Sequence, residues 1–370
     1  MLKVVDGCGD LDFATWVADG DDSGLEAVYR TLTGHLEKRG AVLLLERLLG
    51  RLDAAPAALA ARGRALGSAA GAPPTFVDGR PCSDAGLAGL EVVAARPASA
   101  DAAETVSFRG RPCGRLVHAA DADYLGLGDV ARLLESRPAR PEEETTAAIE
   151  LVAEVLSSLG WSYRDVQRTW FFLDHLLDWY GPFNDARNLA YTRLGVLGAD
   201  RNVTIPASTG IEGRGLAGGH VVLDVLACRP RAGRPFAVRR MVNPLQNEAP
   251  EYGSSFSRGL ALDTGSCRCL LVSGTASIDG QGQTVHVASF DRQAELTLDM
   301  VESLLRASGA RLADTCQATA YLKHPGDLVT LRQILARRGL DRSPLVFVNA
   351  DVCRPELLFE LELTAMTTAG

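Results

Sequence analysis

The stretch VNADVCRPELLFELELTAM, residues 348–366, decides the fold of the carboxyl-terminal part of the chain. Between Leu357 and Leu363 the odd-numbered positions are all Leu or Phe, whereas Glu360 and Glu362 point to the opposite face. This alternation predicts a β-strand with one apolar face and two neighbouring carboxyl groups on the other. Burial of a carboxylate is costly unless the group is paired, hydrogen-bonded or protonated. The pair is therefore either exposed to solvent or needed as an acid.

The composition is that of an ordinary globular protein, with 370 residues, 46% hydrophobic and 23% charged. A formal net charge of −8 argues against nucleic-acid binding, because that function needs clustered lysine and arginine side chains. The amino-terminal residues carry no signal-peptide pattern, and no apolar run approaches the length of a membrane span. We therefore expect a cytoplasmic protein without nucleic-acid or membrane partners.

The cysteines and histidines are dispersed along the chain. Of eight cysteines only Cys267 and Cys269 lie close together, as C-x-C, and the six histidines form no metal-binding motif with them. This spacing predicts no metal site and favours reduced, mostly structural thiols.

An internal repeat is the most informative feature of the organisation. The segment GWSYRDVQRTWFFLDH, residues 160–175, aligns without a gap to GARLADTCQATAYLKH, residues 309–324, with Gly, Asp, Leu and His matched. Each segment follows an amphipathic helix pattern, and each is followed by a proline and then an apolar strand pattern. We interpret the two segments as copies of one duplicated unit.

The second copy predicts its own element order. The segments CRCLLVSGTASI and QTVHVASF are expected to be strands, followed by a helix over 291–307, the strand DTCQATAYL, a helix over 327–338, and two final strands. This order predicts an α+β fold with a mixed sheet and helices on one face. We expect an N-terminal extension and the start of the first unit in residues 1–135, the first unit in 136–240, and the second, acid-bearing unit in 241–370.

Several segments together resemble known families. Residues 255–366 resemble the YjgF/Rid fold, and residues 160–366 resemble the chorismatases, tandem Rid-like enzymes that remove pyruvate from chorismate to give a dihydroxycyclohexadienoate or a hydroxybenzoate. This resemblance implies two tandem YjgF/Rid-like (chorismate-mutase-like) domains and a possible homotrimer. The segments that carry it are RTWFFLDHLLDWYGPFNDARN, PASTGI, EYGSSFSRG, LVSGTASI and ADVCRPELLFELELTA.

The resemblance also assigns catalytic roles. Glu360 matches the glutamate that chorismatases use as an acid, and cleavage of an enol ether requires such an acid to protonate a methylene carbon near neutral pH. Cys353 coincides with a cysteine of the hydroxybenzoate-forming members, and Gly259 with a small residue after the FSR motif. In that type an intramolecular attack replaces water.

A chorismate-like substrate would need cationic partners because it carries two carboxylates. Arginine suits this task, since its planar donors match a carboxylate with two hydrogen bonds. Matched motifs make Arg187, Arg258 and Arg354 the candidates. Weaker candidates for hydroxyl contacts are Tyr252, Thr275 and Tyr321. Protonation and dicarboxylate binding require no cofactor, so none is expected.

Two other functions stay open at this point. The first is a Rid-type imine or enamine deaminase, but Leu345 stands where that class has its carboxylate-binding arginine. The second is a non-catalytic Rid-fold protein that only binds ligands, since a fold does not fix a function.

Overall fold

The computed structural model describes residues 2–18, 24–198 and 205–368, except for the side chains of residues 68, 69 and 252. The described residues form three mixed β-sheets, each accompanied by two α-helices. We call the parts that carry these sheets the N-terminal, middle and C-terminal units.

The N-terminal unit occupies residues 2–95. Its strand β5 departs from the unit and pairs with the sheet of the C-terminal unit. Its elements are β1 (Leu2–Val5), β2 (Leu11–Val17), α1 (Leu25–Arg39), β3 (Val42–Gly50), α2 (Ala55–Leu66), β4 (Thr75–Asp78), β5 (Arg80–Pro81) and β6 (Leu87–Ala95).

The middle unit follows directly and contains the first copy of the sequence repeat. Its elements are β7 (Ala103–Phe108), β8 (Arg111–His118), β9 (Ala122–Leu127), α3 (Pro141–Ser158), β10 (Val166–Leu173), α4 (Leu176–Arg193), β11 (Ala207–Glu212) and β12 (Val221–Pro230).

The C-terminal unit contains the second copy of the repeat. Its elements are β13 (Phe236–Arg240), β14 (Gly259–Thr264), β15 (Cys267–Ala276), α5 (Phe290–Ala307), β16 (Thr315–Leu322), α6 (Leu328–Arg337), β17 (Leu345–Asn349) and β18 (Phe359–Thr368).

All three units share one topology. The sheet order is β11-β10-β12-β9-β8-β7 in the middle unit and β17-β16-β18-β15-β14-β13 in the C-terminal unit, and β4-β3-β6-β2-β1 repeats its first five positions. In each sheet the first strand of this order, which is β11, β17 or β4, runs parallel to the strand beside it. The predicted duplication is confirmed, and the structure adds a third copy where the sequence indicated only an extension. The predicted domain boundaries themselves stay a prediction.

The predicted α+β class is confirmed, and so are both helices and the last strand of the C-terminal unit. One predicted strand is wrong, because QTVHVASF forms a loop and the hairpin partner of β15 is β14 instead. His286 and Ala288 in this loop have φ values of 59° and 60°, which interrupt an extended chain.

The alternation in the last strand determines what each face of β18 contacts. Phe359, Leu361 and Leu363 pack into the apolar core beneath α5 and α6, whereas Glu360 and Glu362 lie on the face without helices. This arrangement confirms the two-faced strand over residues 359–363. The prediction was wrong for Leu357, which precedes β18 and belongs to the core between the three sheets.

The helix-free faces of the three sheets meet in one core. Phe13 and Leu49 of the N-terminal unit, Phe172 of the middle unit, and Leu271 and Tyr321 of the C-terminal unit belong to this cluster. The faces that a homotrimer would bury around an axis are thus already covered within one chain. The possible homotrimer stays a prediction.

Two further findings concern the chemistry of the whole chain. Cys8 and Cys267 form a disulfide with Cα atoms 5.4 Å apart, so the expectation of reduced thiols is wrong for this pair, which the fold brings within bonding distance.

No helix in the described ranges combines the length and apolarity needed to span a bilayer. The cytoplasmic location stays a prediction.

Candidate active site

A cleft opens between the middle and C-terminal units, where α4 and β11 face β15 and β18. Five of the eight residues predicted from the sequence lie in its lining. These are Arg187, Arg258, Cys353, Arg354 and Glu360. The fold therefore brings one carboxyl group, one thiol and three guanidinium groups together from separate parts of the chain.

Glu360 lies in the wall of this cleft and is only 4% exposed. Burial raises the pKa of its carboxyl group to about 8, repulsion from Glu362 adds to the rise, and Arg168 opposes it. In the part of the chain that the structure describes, no residue hydrogen-bonds this carboxyl group. Glu360 is thus protonated at neutral pH and free to donate its proton to a ligand.

Glu362 has the same burial but entirely different partners. Its carboxylate accepts hydrogen bonds from Arg168 at 2.5 Å, from Tyr321 at 3.0 Å and from Thr209. The charge of Glu362 is therefore compensated by a buried ion pair. β18 thus presents two neighbouring glutamates in different environments. The carboxylate of Glu362 is compensated by an arginine, whereas the carboxyl group of Glu360 has no such partner among the described residues. Such a difference allows one carboxyl group to act as an acid while the other provides a fixed charge.

The ion pair extends into a network at the meeting point of the three units. Arg168 and Arg47 lie on the ring of Trp170, with guanidinium carbons 4.7 Å and 4.5 Å from its centroid. Arg47 also pairs with Glu91 at 2.9 Å and with Asp224 at 3.0 Å. Because every member is buried, this network fixes the position of Glu362. It thereby also fixes the electrostatic field that Glu362 exerts on the carboxyl group of Glu360.

A glycine makes room for the acid. A Cβ atom on Gly274 would lie 2.0 Å from Oε1 of Glu360, so no larger residue fits there without displacing the carboxyl group. The next residue, Thr275, donates its hydroxyl hydrogen to the carbonyl of Ser273 and lies outside the cleft lining.

Arg187 is the most deeply buried of the three arginines. It is 1% exposed, lies on the ring of Phe183, and donates from Nη2 to Asn184 at 2.7 Å. Its Nε has no hydrogen-bond partner, and no carboxylate of the described residues pairs with it. A buried cation without a counter-ion is costly, and an anionic ligand in the cleft would compensate it.

The other two arginines bind backbone carbonyl groups at the edges of the cleft. Arg258 donates from Nε and Nη2 to the carbonyl of Asn247 at 3.0 and 2.9 Å. Arg354 donates from Nη1 to the carbonyl of Gly282 at 2.7 Å. Since a carbonyl oxygen carries no full charge, the guanidinium group of Arg354 keeps positive charge available to a ligand.

Cys353 contributes a neutral thiol. Burial raises its pKa to about 12, and repulsion from Glu360 adds to this rise. Tyr180 hydrogen-bonds the sulfur and lines the cleft beside it. A thiol held in this form is not a nucleophile at neutral pH, so it acts through its shape and its weak hydrogen bonding.

The remaining predicted residues lie elsewhere. Tyr321 contacts Glu362 rather than the cleft, and the side chain of Tyr252 is outside the described residues. Gly259 packs against Met241 and the backbone of Leu271, away from the lining.

Eight lining residues are absent from the list predicted from the sequence, among them Tyr180, Gly210 and Gly274. The signal for them was present in the quoted segments. Tyr180 stands in DWYGPFNDAR, and the two glycines stand in PASTGI and SGTASI.

Comparison with known proteins gives consistent results. No family model matches the chain. A chorismatase of Streptomyces rapamycinicus is 30% identical over 268 residues, which cover 65% of this chain and 74% of the relative. A 3-hydroxybenzoate synthase of Streptomyces hygroscopicus is 28% identical over 250 residues, covering 61% and 70%. A chorismatase crystal structure has a TM-score of 0.67 at 22% identity over 98% of this chain and 100% of that chain, and this likeness shows the fold.

Proposed function

Because this chain belongs to the chorismatase family, we propose that it releases pyruvate from chorismate or a closely related enolpyruvyl ether. The predicted resemblance is confirmed by the relatives and by the shared fold. The observation that carries the proposal is the combination, in one cleft, of a protonated Glu360 with an uncompensated, buried Arg187. An acid and a carboxylate-binding cation are the two groups that this reaction requires.

The reaction begins with proton transfer from Glu360 to the terminal methylene carbon of the enol ether. The new C–H bond leaves a positive charge shared between the ether carbon and its oxygen, and the ionised Glu360 then stabilises that charge. Arg187, Arg258 and Arg354 bind the two carboxylates and hold the methylene group toward the acid. No cofactor takes part in these steps.

Two routes lead from the cation to products. If water adds, the resulting hemiketal collapses to pyruvate and a dihydroxycyclohexadienoate. If the neighbouring ring hydroxyl adds to the same carbon instead, its proton is released and a cyclic ketal forms. Loss of a ring C–H proton then breaks one ring C–O bond, the freed oxygen takes up a proton, and the resulting hemiketal collapses to pyruvate and a hydroxybenzoate without net uptake of water. We propose the second route, because Cys353 stands where the hydroxybenzoate-forming members carry a cysteine and lines the same cleft as Glu360.

The test is to incubate the purified protein with chorismate and follow pyruvate by a coupled assay. Glu360→Gln keeps the shape of the side chain but removes the transferable proton, so we expect pyruvate release to fall roughly 100- to 10,000-fold. Glu356→Gln, an exposed position on the preceding loop, is the matched control and should keep wild-type activity.

The products distinguish the routes and the alternatives. Mass spectrometry should find a ring product one water lighter than the diene, and Cys353→Ala should raise the share of the diene. If wild type releases no pyruvate but hydrolyses 2-aminoacrylate, the deaminase function replaces this proposal. If chorismate binds without turnover, the chain is a ligand-binding protein.

A further inference from the structure

A second open cleft lies between the C-terminal and N-terminal units, and we call it the counterpart cleft. The strands around it occupy the same topological positions as those around the active cleft, with β17 facing β2 and β6. Six of its lining residues are Val17, Ala18, Cys82, Ala88, Arg332 and Phe347. None of these residues has a role in the proposed reaction.

Strand register shows which residues correspond in the two clefts. Val17 pairs with Gly89 in the N-terminal sheet, as Ala276 pairs with Glu360 in the C-terminal sheet. Gly89 therefore stands at the position of the acid. The counterpart cleft has no group there that could protonate a ligand.

The cysteine, in contrast, is present in both clefts. Cys82 follows Asp78, the last residue of β4, by four positions, and Cys353 follows Asn349, the last residue of β17, by four positions. Both thiols are partly buried, and burial raises the pKa of Cys82 to about 11. The counterpart cleft is thus an acid-free relative of the active cleft with the same thiol position.

The charge and shape of the counterpart cleft indicate its ligand. Arg332 is an exposed residue at the rim of the cleft; its guanidinium carbon lies 5.5 Å from the centroid of the Phe347 ring, and no carboxylate among the described residues pairs with it. It is the single cation in the described lining, where the active cleft has three. The neighbouring walls, from Val17, Leu328 and Phe347, are apolar. One cation beside an aromatic wall suits a flat ring that carries one carboxylate.

We propose that the counterpart cleft binds an aromatic monocarboxylate without converting it. The ring lies against Phe347 and Val17, and the carboxylate pairs with Arg332. Binding itself is independent of the proposed function. The further identification of the ligand with a hydroxybenzoate product rests on that function, since the proposed reaction releases a molecule of this class.

Alkylation of the two cysteines measures each cleft separately. The protein is treated with N-ethylmaleimide at a fixed alkaline pH in the presence of increasing benzoate, and peptide mass spectrometry follows Cys82 and Cys353. We expect benzoate to slow modification of Cys82 in wild type and equally in Glu360→Gln. Benzyl alcohol, which has the ring without the charge, should protect far less.

Arg332→Gln should raise the benzoate concentration that half-protects Cys82 by roughly tenfold or more, because a charged hydrogen bond is lost. Arg337→Gln is the matched control and should behave as wild type, because Arg337 is an equally exposed arginine on the same helix that pairs with Glu295 and does not line the cleft. Both variants should keep the wild-type kcat/KM for chorismate. The proposal is overturned if benzoate leaves Cys82 unprotected, or if Arg332→Gln and wild type show the same protection. Neither result depends on turnover, so failure here is distinct from failure of the proposed function.

Discussion

The active cleft and the junction between the N-terminal and middle units occupy equivalent positions in the fold, but they differ in the residue that stands at the position of the acid. Glu360 pairs with Tyr321, and its equivalent in the middle unit, Val222, pairs with Phe172. Gly210 lines the active cleft, and at the same register in the N-terminal sheet stands Phe76, which is buried. The difference therefore lies in side-chain size and in one carboxyl group, because the backbone frame is the same.

The comparison of equivalent positions in the three sheets also assigns different roles to Glu360 and Glu362, the two glutamates of the last strand. Glu362 has an equivalent carboxylate in each of the other sheets, since Glu91 and Asp224 occupy the same register, and all three are buried in ion pairs with arginine. Glu360 has no such equivalent. A carboxylate repeated in every unit serves the shared core, whereas a carboxyl group found in a single unit serves the site.

The largest effect is expected from giving the active cleft the bulky side chain that the N-terminal unit carries at the register of Gly210. Gly210→Phe introduces the residue found at the same register in both other sheets, Phe76 and Phe347. The ring should displace Tyr180 and fill the cleft, so we expect kcat/KM for chorismate to fall roughly 100-fold or more.

Gly210→Ala is the control for this change, because its Cβ would meet Phe183 and Tyr180 at ordinary distances of 3.6 and 3.7 Å. It should keep most of the activity. Equal loss in both variants would show that backbone freedom, rather than the open space, is what Gly210 provides.

A smaller effect should follow from Gly274→Ala. The added methyl group would push the carboxyl group of Glu360 away from its position, so we expect kcat to fall roughly 10- to 100-fold while KM changes little. Steady-state kinetics of pyruvate release measure both constants.

Gly280→Ala is the control, since an added Cβ there meets only Asn247, at 3.8 Å. If Gly274→Ala raised KM and left kcat unchanged, the glycine would serve substrate entry rather than the position of the acid.

The sequence was sufficient for features set by local pattern. Alternation in residues 359–363 predicted both faces of β18, and the repeat of residues 160–175 at 309–324 predicted the shared unit. The loop before α5 was misread because Val285 and Val287 alternate with polar residues as a strand would. Only the structure shows that Val287 is 58% exposed and that its neighbours adopt left-handed backbone angles.

The site was predictable only where side-chain chemistry revealed it. Glu360 and the arginines could be selected from the sequence, because charged residues in motifs shared with a known family rarely serve a purpose other than catalysis or ligand binding. Gly210 and Gly274 were not selected as site residues, because their role is to leave space, which depends on Tyr180 and on the Glu360 carboxyl group across the cleft. The N-terminal copy was missed because it shares topology and register with the others but no recognisable sequence.

A further prediction tests the contrast between the two glutamates through pH dependence. Glu360 must be protonated to act, so activity should be present below its pKa of about 8 and be lost as pH rises through that value. Glu362→Gln removes the neighbouring negative charge, lowers the pKa of Glu360 and should move the loss of activity to lower pH. Profiles of kcat/KM against pH measure this shift.

Tyr321→Phe is the matched variant, because it removes a hydrogen bond to Glu362 but no charge. Its loss of activity should occur at nearly the wild-type pH. A profile for Glu362→Gln that coincides with wild type would mean that burial alone sets the pKa of Glu360.

The smallest effect concerns stability, and it separates Glu360 from exposed glutamates. Its pKa rises from 4.5 to about 8 on folding, so between these values the folded protein holds a proton that the unfolded chain has lost. The free energy of unfolding of wild type therefore falls as pH rises through this window, by about 3 kcal/mol at pH 7. Glu360→Gln does not titrate and should escape this loss. Its melting temperature should match wild type near pH 4 and exceed it by a few degrees near pH 7, whereas Glu356→Gln should show no such divergence. If the difference in melting temperature between Glu360→Gln and wild type stayed constant across pH, water would reach Glu360. Burial would then not distinguish the two glutamates of the strand.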